Sequence, residues 1–383
     1  RVRFVLETIT GEVPPPRLAR LRKLRRPSDG AVLDSVLVLY FAGPQSATGE
    51  DIAEFQVHGG RAVVASVLAV LGAMEGLRPA DPGEFAHRAL RNGKLDLLGV
   101  EALADLIDAE TEWQRRQAVE GGGGLLRAQA DHWRERLLDI RANLEADLNF
   151  SDEGDVSGLN DSSLQQMLGG VIDDLNAALR KADRGERLRE GYRVVLAGKP
   201  NAGKSSLLNA IAQRDVAIVS PVPGTTRDRI DLFLDLGGVP VRLSDTAGVQ
   251  VTCDPVEQEG IRRTEQAMAE ADLVLWLSPA DDPSAPSFDL EPGKIAIVAT
   301  KADLRSPGRV EAREVFAAIS MTDRTSVENL LQRLEARARA SFDGGEAALL
   351  TRARHRLALE TCRDALVRAG RRLSEPELAA EEV

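Results

Sequence analysis

The spacing of apolar and polar positions divides the chain into three textures. Up to about residue 90, a strand-like run from Val32 to Phe41 and a short apolar helix pattern from Val63 to Leu71 predict an α/β module. From about Lys94 the period becomes helical, with Leu95, Leu97, Leu98, Ala102, Ala104, Leu106 and Ile107 apolar and acids between them. Helices are expected to about Arg189, with two interruptions. The run Gly121 to Gly124 predicts a break or poor order, since each glycine costs about 1 kcal/mol relative to alanine inside a helix. The Ser, Asp, Gly and Asn cluster between Phe150 and Ser163 predicts a loop, after which Leu164 to Ala182 resumes helical spacing.

The third texture starts near residue 191. Tyr192 to Ala197 is an apolar strand run that stops at Gly198, and a helix pattern begins near Gly203, a βα unit. Further strands are expected at Val239–Leu243, Leu273–Leu277, Ile295–Ala299 and Val315–Ile319, an alternation that predicts a mostly parallel sheet. Between Ser278 and Gly293 the chain is rich in Pro, Asp and Ser where a parallel crossover usually carries a helix, so either residues are missing there or the crossover is reduced. Residues 348 to 374 are helical again and arginine-rich, as if a helical domain resumed. The expected layout is an α/β domain over 1–93, a helical domain over 94–190 and 341–383, and an α/β domain over 191–340 inserted into it.

A length of 383 residues fits two or three domains, and 43% apolar with 28% charged residues is ordinary for a soluble chain. No apolar run approaches the roughly 20 residues of a membrane span. The first residue is Arg1 and no signal-peptide pattern follows, so the chain reads as a fragment with missing ends. Cys253 and Cys362 stand far apart and outside any metal spacing, which points to a reducing cytoplasm rather than a disulfide framework. The net charge of −11 disfavours coating nucleic acid by bulk charge, although a local basic patch could still hold RNA.

The chemistry concentrates in the inserted domain. Gly198-Lys-Pro-Asn-Ala-Gly-Lys-Ser205 matches a P-loop, in which glycines let backbone amides curl around phosphates at a helix N-terminus. Asn201, Ala202, Gly203 and Ser206 belong to that cradle, Lys204 would reach the β and γ phosphates, and Ser205 would offer a hydroxyl to Mg²⁺. Asp245-Thr246-Ala247-Gly248 follows a strand about 40 residues later, where an aspartate holds the metal through water and a glycine amide senses the γ-phosphate. Between them, Thr225 and Thr226 lie in Pro223 to Asp228, a switch candidate in which a threonine, Thr226, completes the Mg²⁺ shell. In Thr300-Lys301-Ala302-Asp303 the aspartate can accept from the guanine ring NH and exocyclic amine together, a donor pair adenine lacks, which favours GTP over ATP. Asparagine usually opens such a motif, so Thr300 implies one lost amide contact. Ser320 could help back the base.

With these motifs, together with Thr48-Gly-Glu-Asp51, Glu54-Phe-Gln-Val-His-Gly-Gly60, Pro82-Gly-Glu-Phe85 and Asn92-Gly-Lys-Leu-Asp-Leu97, the sequence resembles the MnmE family, also called TrmE, over essentially its whole length. The resemblance implies a P-loop Ras-like G domain inserted in an all-α domain and preceded by an α/β domain that binds a tetrahydrofolate one-carbon derivative and dimerises. By the same resemblance Glu54 and Lys94 contact folate, through the aminopyrimidine edge and the glutamate tail. Relatives use K⁺ in place of an arginine finger, and here Asn201, Ser220, Val222 and Thr225 match the positions around the ion. Glu257, in an acid-rich stretch twelve residues after Asp245, matches the glutamate that orients the attacking water, with Lys204 the other catalytic group. His58 and His87 read as structural.

The expected activity is thus a homodimeric, K⁺-stimulated GTP hydrolase that works with an FAD-dependent partner, MnmG, in aminomethyl-type or carboxymethylaminomethyl-type modification of the tRNA wobble uridine. No membrane is implied. The family's C-terminal cysteine motif is not seen before Val383, and no catalytic cysteine is assigned. The alternatives are a ribosome-assembly GTPase switch without covalent RNA chemistry and a P-loop ATPase; the folate-type motifs oppose the first and Asp303 the second. Arg17 to Arg26 and Arg352 to Arg372 are candidate tRNA or partner contacts, with a solvated helix face as the plainer reading.

Overall fold

The computed structural model describes residues 1–150, 161–218, 231–245, 264–283, 286, 293–304, 315–342, 350–373 and 376–383, with the main chain alone at 147–150, 161 and 376. The chain divides into two compact units, Arg1–Ala104 and Asp105–Val383.

In the first unit, α1 (Val2–Thr10) and α2 (Arg61–Gly72) cover one face of a three-stranded antiparallel sheet ordered β1 (Arg20–Arg25), β2 (Val32–Phe41), β3 (Ile52–Gln56). The two-residue period of β2 puts Val36, Val38 and Tyr40 on the buried face, where they join Val5, Leu6 and Ile9 of α1 and Val67 of α2. Helix α3 (Glu84–Arg91) follows, and α4 (Leu97–Ile107) spans the boundary.

The second unit opens with α5 (Glu112–Gly122), started by a capping box between Thr111 and Gln114. The break expected at the glycine run is present: α5 stops at Gly122, Gly124 takes φ 83°, and α6 (Leu125–Phe150) begins. The loop expected over Phe150–Ser163 starts inside α6 and ends inside α7 (Asp161–Glu190); its centre lies outside the described residues.

Seven strands follow in the order β10-β9-β8-β4-β7-β6-β5. They are β4 (Tyr192–Ala197), β5 (Ala217–Ile218), β6 (Asp231–Leu236), β7 (Val239–Asp245), β8 (Leu273–Pro279), β9 (Ile295–Thr300) and β10 (Ala317–Ala318). The pairings from β10 through β7 are parallel; β6 and β5 are antiparallel. The strand expected over Val315–Ile319 is only two residues long, and the hairpin partner β6 has no counterpart in the sequence reading because its Asp231 and Asp235 interrupt the apolar run. Most of the 279–293 crossover lies outside the described residues.

Both sheet faces are covered, as a parallel sheet requires. Tyr192, Val194 and Leu196 of β4 face α8 (Lys204–Ala212) and α10 (Arg324–Phe342), while Val195 and Ala197 face the helix whose described part is 264–270, labelled α9. Helices α6 and α7, which precede the sheet, share one core with α11 (Ala353–Arg371) and α12 (Pro376–Glu382), which follow it, through Trp133, Ile140, Leu168, Leu175, Leu366 and Ala379. The sheet is therefore an insertion in a helical domain, as the resumed periodicity predicts.

Candidate nucleotide site

Strand β4 lies at the centre of the sheet, and the chain reaches β7 on one side of it and β8 on the other. At such a reversal of strand order a crevice opens beyond the carboxyl ends of the strands. The loop 198–203 sits there. Gly198 has φ 150°, and a Cβ on it would lie 2.7 Å from the carbonyl oxygen of Leu277 in β8, so no side chain fits. Asn201 takes φ 62° and Gly203 φ 97°, and the amide of Ala202 donates to the Lys199 carbonyl at 3.2 Å. These left-handed residues turn the chain sharply into α8, whose first-turn amides lack partners within the helix and serve anions.

Lys204 is buried, and its Nζ donates to the carbonyls of Gly198 at 3.0 Å and Lys199 at 3.2 Å. Burial holds its ammonium below the usual lysine range, while the charge of Asp245 acts in the other direction. Ser205 and Ser206 are exposed in the first turn of α8. Asp245 ends β7 in register with Leu196 of β4, which puts its carboxylate at the same sheet edge as the loop. A buried lysine held by two loop carbonyls, an exposed serine hydroxyl and a strand-end carboxylate fit a Mg²⁺-bound triphosphate.

The second loop meets the first from β9. Thr300 is 3% exposed and its Oγ1 donates to the Ala202 carbonyl at 2.8 Å. The hydroxyl thus keeps a contact with the phosphate loop where the sequence reading counts only a lost amide. Lys301 takes φ 53° and pairs with Asp281 at 2.8 Å, whose carboxyl the hydrogen bond from Lys301 holds below its usual range. Asp303 is exposed and accepts from Ser320 Oγ at 2.6 Å; Ser320 in turn is held by Ser326, whose hydroxyl donates to the Ser320 carbonyl at 3.1 Å and accepts from the Ser320 N–H at 3.0 Å. Ser320 therefore acts through its side chain on Asp303 rather than only through main-chain amides.

Three residues here carry no motif signal. Asp281 and Asp282 follow β8 and pair with Lys301 and with Lys199 at 3.3 Å, one lysine from each loop, and Ser326 begins α10. The clue available in the sequence was position: both acids directly follow a strand at the carboxyl edge of a parallel sheet.

Ser220, Val222, Thr225, Thr226, Thr246, Ala247, Gly248 and Glu257 lie outside the described residues, as does Cys253. Of the expected K⁺ ligands the structure describes Asn201, exposed in the loop, and of the Mg²⁺ ligands Ser205.

In the first unit Glu54 is exposed on β3 opposite Leu39, and Lys94 is exposed just after α3, its amide donating to the Ala89 carbonyl at 2.8 Å. A Cβ on Gly49, which has φ 79°, would lie 3.0 Å from Asn92 Cβ and 3.4 Å from Lys94 Cε, so both side chains rest against that glycine. His58 is pinned by Asp34 at 2.8 Å through its ring and its amide, a structural role. No helix among the described residues is long and apolar enough to cross a membrane.

Two family matches cover almost the whole chain: the MnmE helical domain over residues 97–383 and the GTP-binding protein TrmE N-terminus over 2–94. The chain is 50% identical over 380 residues to the tRNA modification GTPase MnmE of Beijerinckia indica subsp. indica, covering 99% of this chain and 83% of that protein. It is 49% identical over 384 residues to the protein of the same name from Methylobacterium radiotolerans, covering 99% and 86%.

Proposed function

This chain belongs to the MnmE family of tRNA modification GTPases, and from that membership we propose a K⁺-stimulated, homodimeric GTP hydrolase acting with the FAD-dependent protein MnmG on the tRNA wobble uridine. GTP hydrolysis is the enzyme's reaction and tRNA its modification target. The observation that carries the reading is the hydrogen bond from Thr300 to Ala202, which ties the loop of Lys204 to the loop of Asp303. One ligand holding phosphates at one end and guanine at the other matches that arrangement.

On this reading Lys204 releases the two carbonyls and turns to the β and γ phosphates, while the α8 amides take the remaining phosphate oxygens. Ser205 and Thr226 hold Mg²⁺, with Asp245 acting through water. Thr246, Ala247 and Gly248 sense the γ-phosphate, and Glu257 orients the attacking water. Asp303, set by Ser320, accepts from the guanine edge, and Lys301 lies beside it. Asn201, Ser220, Val222 and Thr225 hold K⁺, a charge that stabilises the developing negative charge in the role of an arginine finger. In the first unit, proposed as the dimerising domain over 1–93, Glu54 and Lys94 hold the tetrahydrofolate derivative; both are exposed charged groups, which fits the aminopyrimidine and glutamate ends of that molecule. The helical domain takes 94–190 and 341–383, and the G domain 191–340. The cysteine usage supports a cytoplasmic setting.

GTP turnover in matched K⁺ and Na⁺ buffers tests the mechanism, with Asn201→Ala and Glu257→Ala alongside. A rate at least tenfold higher in K⁺, lost in Asn201→Ala, and hydrolysis abolished in Glu257→Ala are expected. Equal rates in both salts overturn the cation-assisted reading. Mass spectrometry of tRNA incubated with the protein and MnmG tests the modification; an unchanged wobble uridine returns the chain to a ribosome-assembly switch.

A further inference from the structure

Two exposed acids take no part in the nucleotide chemistry described above, yet they reach both of its loops. Asp281 and Asp282 lie just past β8, and the ladder between β8 and β9 runs almost to them. Ser278 is in register with Ala299 and Pro279 with Thr300, and the Ala280 amide donates to the Thr300 carbonyl at 2.9 Å. The main chain before the acids is therefore fastened to the strand that ends in the base-reading loop. On its other side β8 pairs with β4, Trp276 opposite Ala197, and its Leu277 carbonyl oxygen lies 2.7 Å from where a Cβ on Gly198 would stand. The acids thus emerge between the two loops.

Each acid takes the lysine of a different loop. Asp281 accepts from Lys301 Nζ at 2.8 Å, and Asp282 accepts from Lys199 Nζ at 3.3 Å. Two carboxylates matched by two ammonium groups add no net charge to the site, but they restrain two long side chains. That restraint falls where the backbone needs support. Lys301 has φ 53° and Asn201 φ 62°, one in each loop, a conformation that L side chains disfavour. Lys301 leads directly into the turn Ala302–Leu304 that carries Asp303. With Lys301 spent on Asp281, Asp303 pairs with no cation among the described residues: it accepts from Ser320 through Oδ1 and keeps Oδ2 for a base.

We propose that Asp281 and Asp282 are positioning residues for nucleotide binding, fixing Lys301 and Lys199 so that the base-reading and phosphate loops are set to one another before GTP arrives. The inference rests on the nucleotide reading of this site. It adds a determinant of affinity that lies outside both motifs, and its physical basis is preorganisation: side chains already ordered in the empty site need not be ordered on binding. Charge repulsion alone works in the other direction, because two carboxylates beside a triphosphate weaken its binding and neutralising them would tighten it. The sign of the effect separates the two.

The experiment is titration of the full-length protein with a fluorescent GDP analogue in Mg²⁺ buffer, for wild type, Asp281→Asn, Asp282→Asn and the double variant. The double variant is expected to bind roughly threefold to tenfold more weakly, the loss of two exposed ion pairs, with most of the change in the dissociation rate. Its melting temperature without nucleotide stays that of wild type, since both acids are exposed. In a Lys301→Met background Asp281→Asn adds nothing further, which a purely structural role for Asp281 would not produce. Unchanged binding in the double variant overturns the proposal, and so does tighter binding, which assigns the acids to charge repulsion. An Asp281→Asn loss that persists in the Lys301→Met background overturns it as well. Failure of the wild type to bind the analogue overturns the nucleotide reading itself.

Discussion

The buried Thr300 hydroxyl at the end of β9 donates to the Ala202 carbonyl of the 198–203 loop at 2.8 Å and ties the two segments together. Thr300→Val leaves the Ala202 carbonyl buried without that donor, a cost of about 1–3 kcal/mol. Titration with a fluorescent GDP analogue is expected to show binding weakened roughly tenfold, with Thr300→Ser close to wild type. Unchanged binding in Thr300→Val would mean that the latch plays no part in shaping the site.

Lys204 makes stability and function oppose one another. Its pKa is lowered by burial, so across the interval between the folded value and the ordinary 10.5 the unfolded chain binds more protons, and stability rises with pH there. Lys204→Met removes a buried charge whose hydrogen bonds among the described residues go to carbonyls, not to an acid. We expect the nucleotide-free variant to melt higher than wild type at pH 7 and to lose GTP binding, with the alkaline rise in melting temperature gone.

Glu84 predicts the same pH sense in the first unit, at the acid end of the scale. Its pKa falls from 4.5 to about 2, so its contribution is complete above pH 4.5 and is lost as pH falls towards 2. Hydrogen exchange of peptides covering α3 should therefore be faster in Glu84→Gln than in wild type at pH 7. Near pH 2.5, most of that difference should have closed.

Gly198→Ala tests the closeness of β4 and β8. The added methyl meets the Leu277 carbonyl oxygen at 2.7 Å, a backbone atom that cannot rotate away. A loss of about 2–3 kcal/mol in chemical denaturation, together with loss of nucleotide binding, is expected.

Trp113 tests the join between the helical layer and the sheet. Its amide donates to Gly238 at 3.3 Å, its ring lies 6.0 Å from Phe342, and Arg339 stacks over it at 5.7 Å while donating to Gly237 at 3.1 Å. Truncation to alanine should cost about 2–4 kcal/mol in urea unfolding. A smaller loss would show that the β6–β7 turn holds its place without the indole.

The chain by itself determined the alternation of strands and helices, the insertion of one domain in another and the identity of the loops that meet phosphate and base. These are local properties: hydrophobic period follows backbone geometry, and glycines, a lysine and an aspartate at set spacing announce their chemistry without reference to distant residues. Tertiary structure decided what depends on which strands become neighbours. Strand order placed β8 between β4 and β9, and only that order puts Asp281 and Asp282 beside Lys301 and Lys199 and brings Thr300 to Ala202 across 98 positions of chain. The acid-bearing β6 was hidden for the same reason, since its stability comes from pairing with β7 rather than from its own apolar content. The ion pairs of α3 were hidden as well: a helix pattern shows which residues share a face, but packing decides which of them spend their charge on a neighbour, as Arg88 does on Glu84 and Glu50.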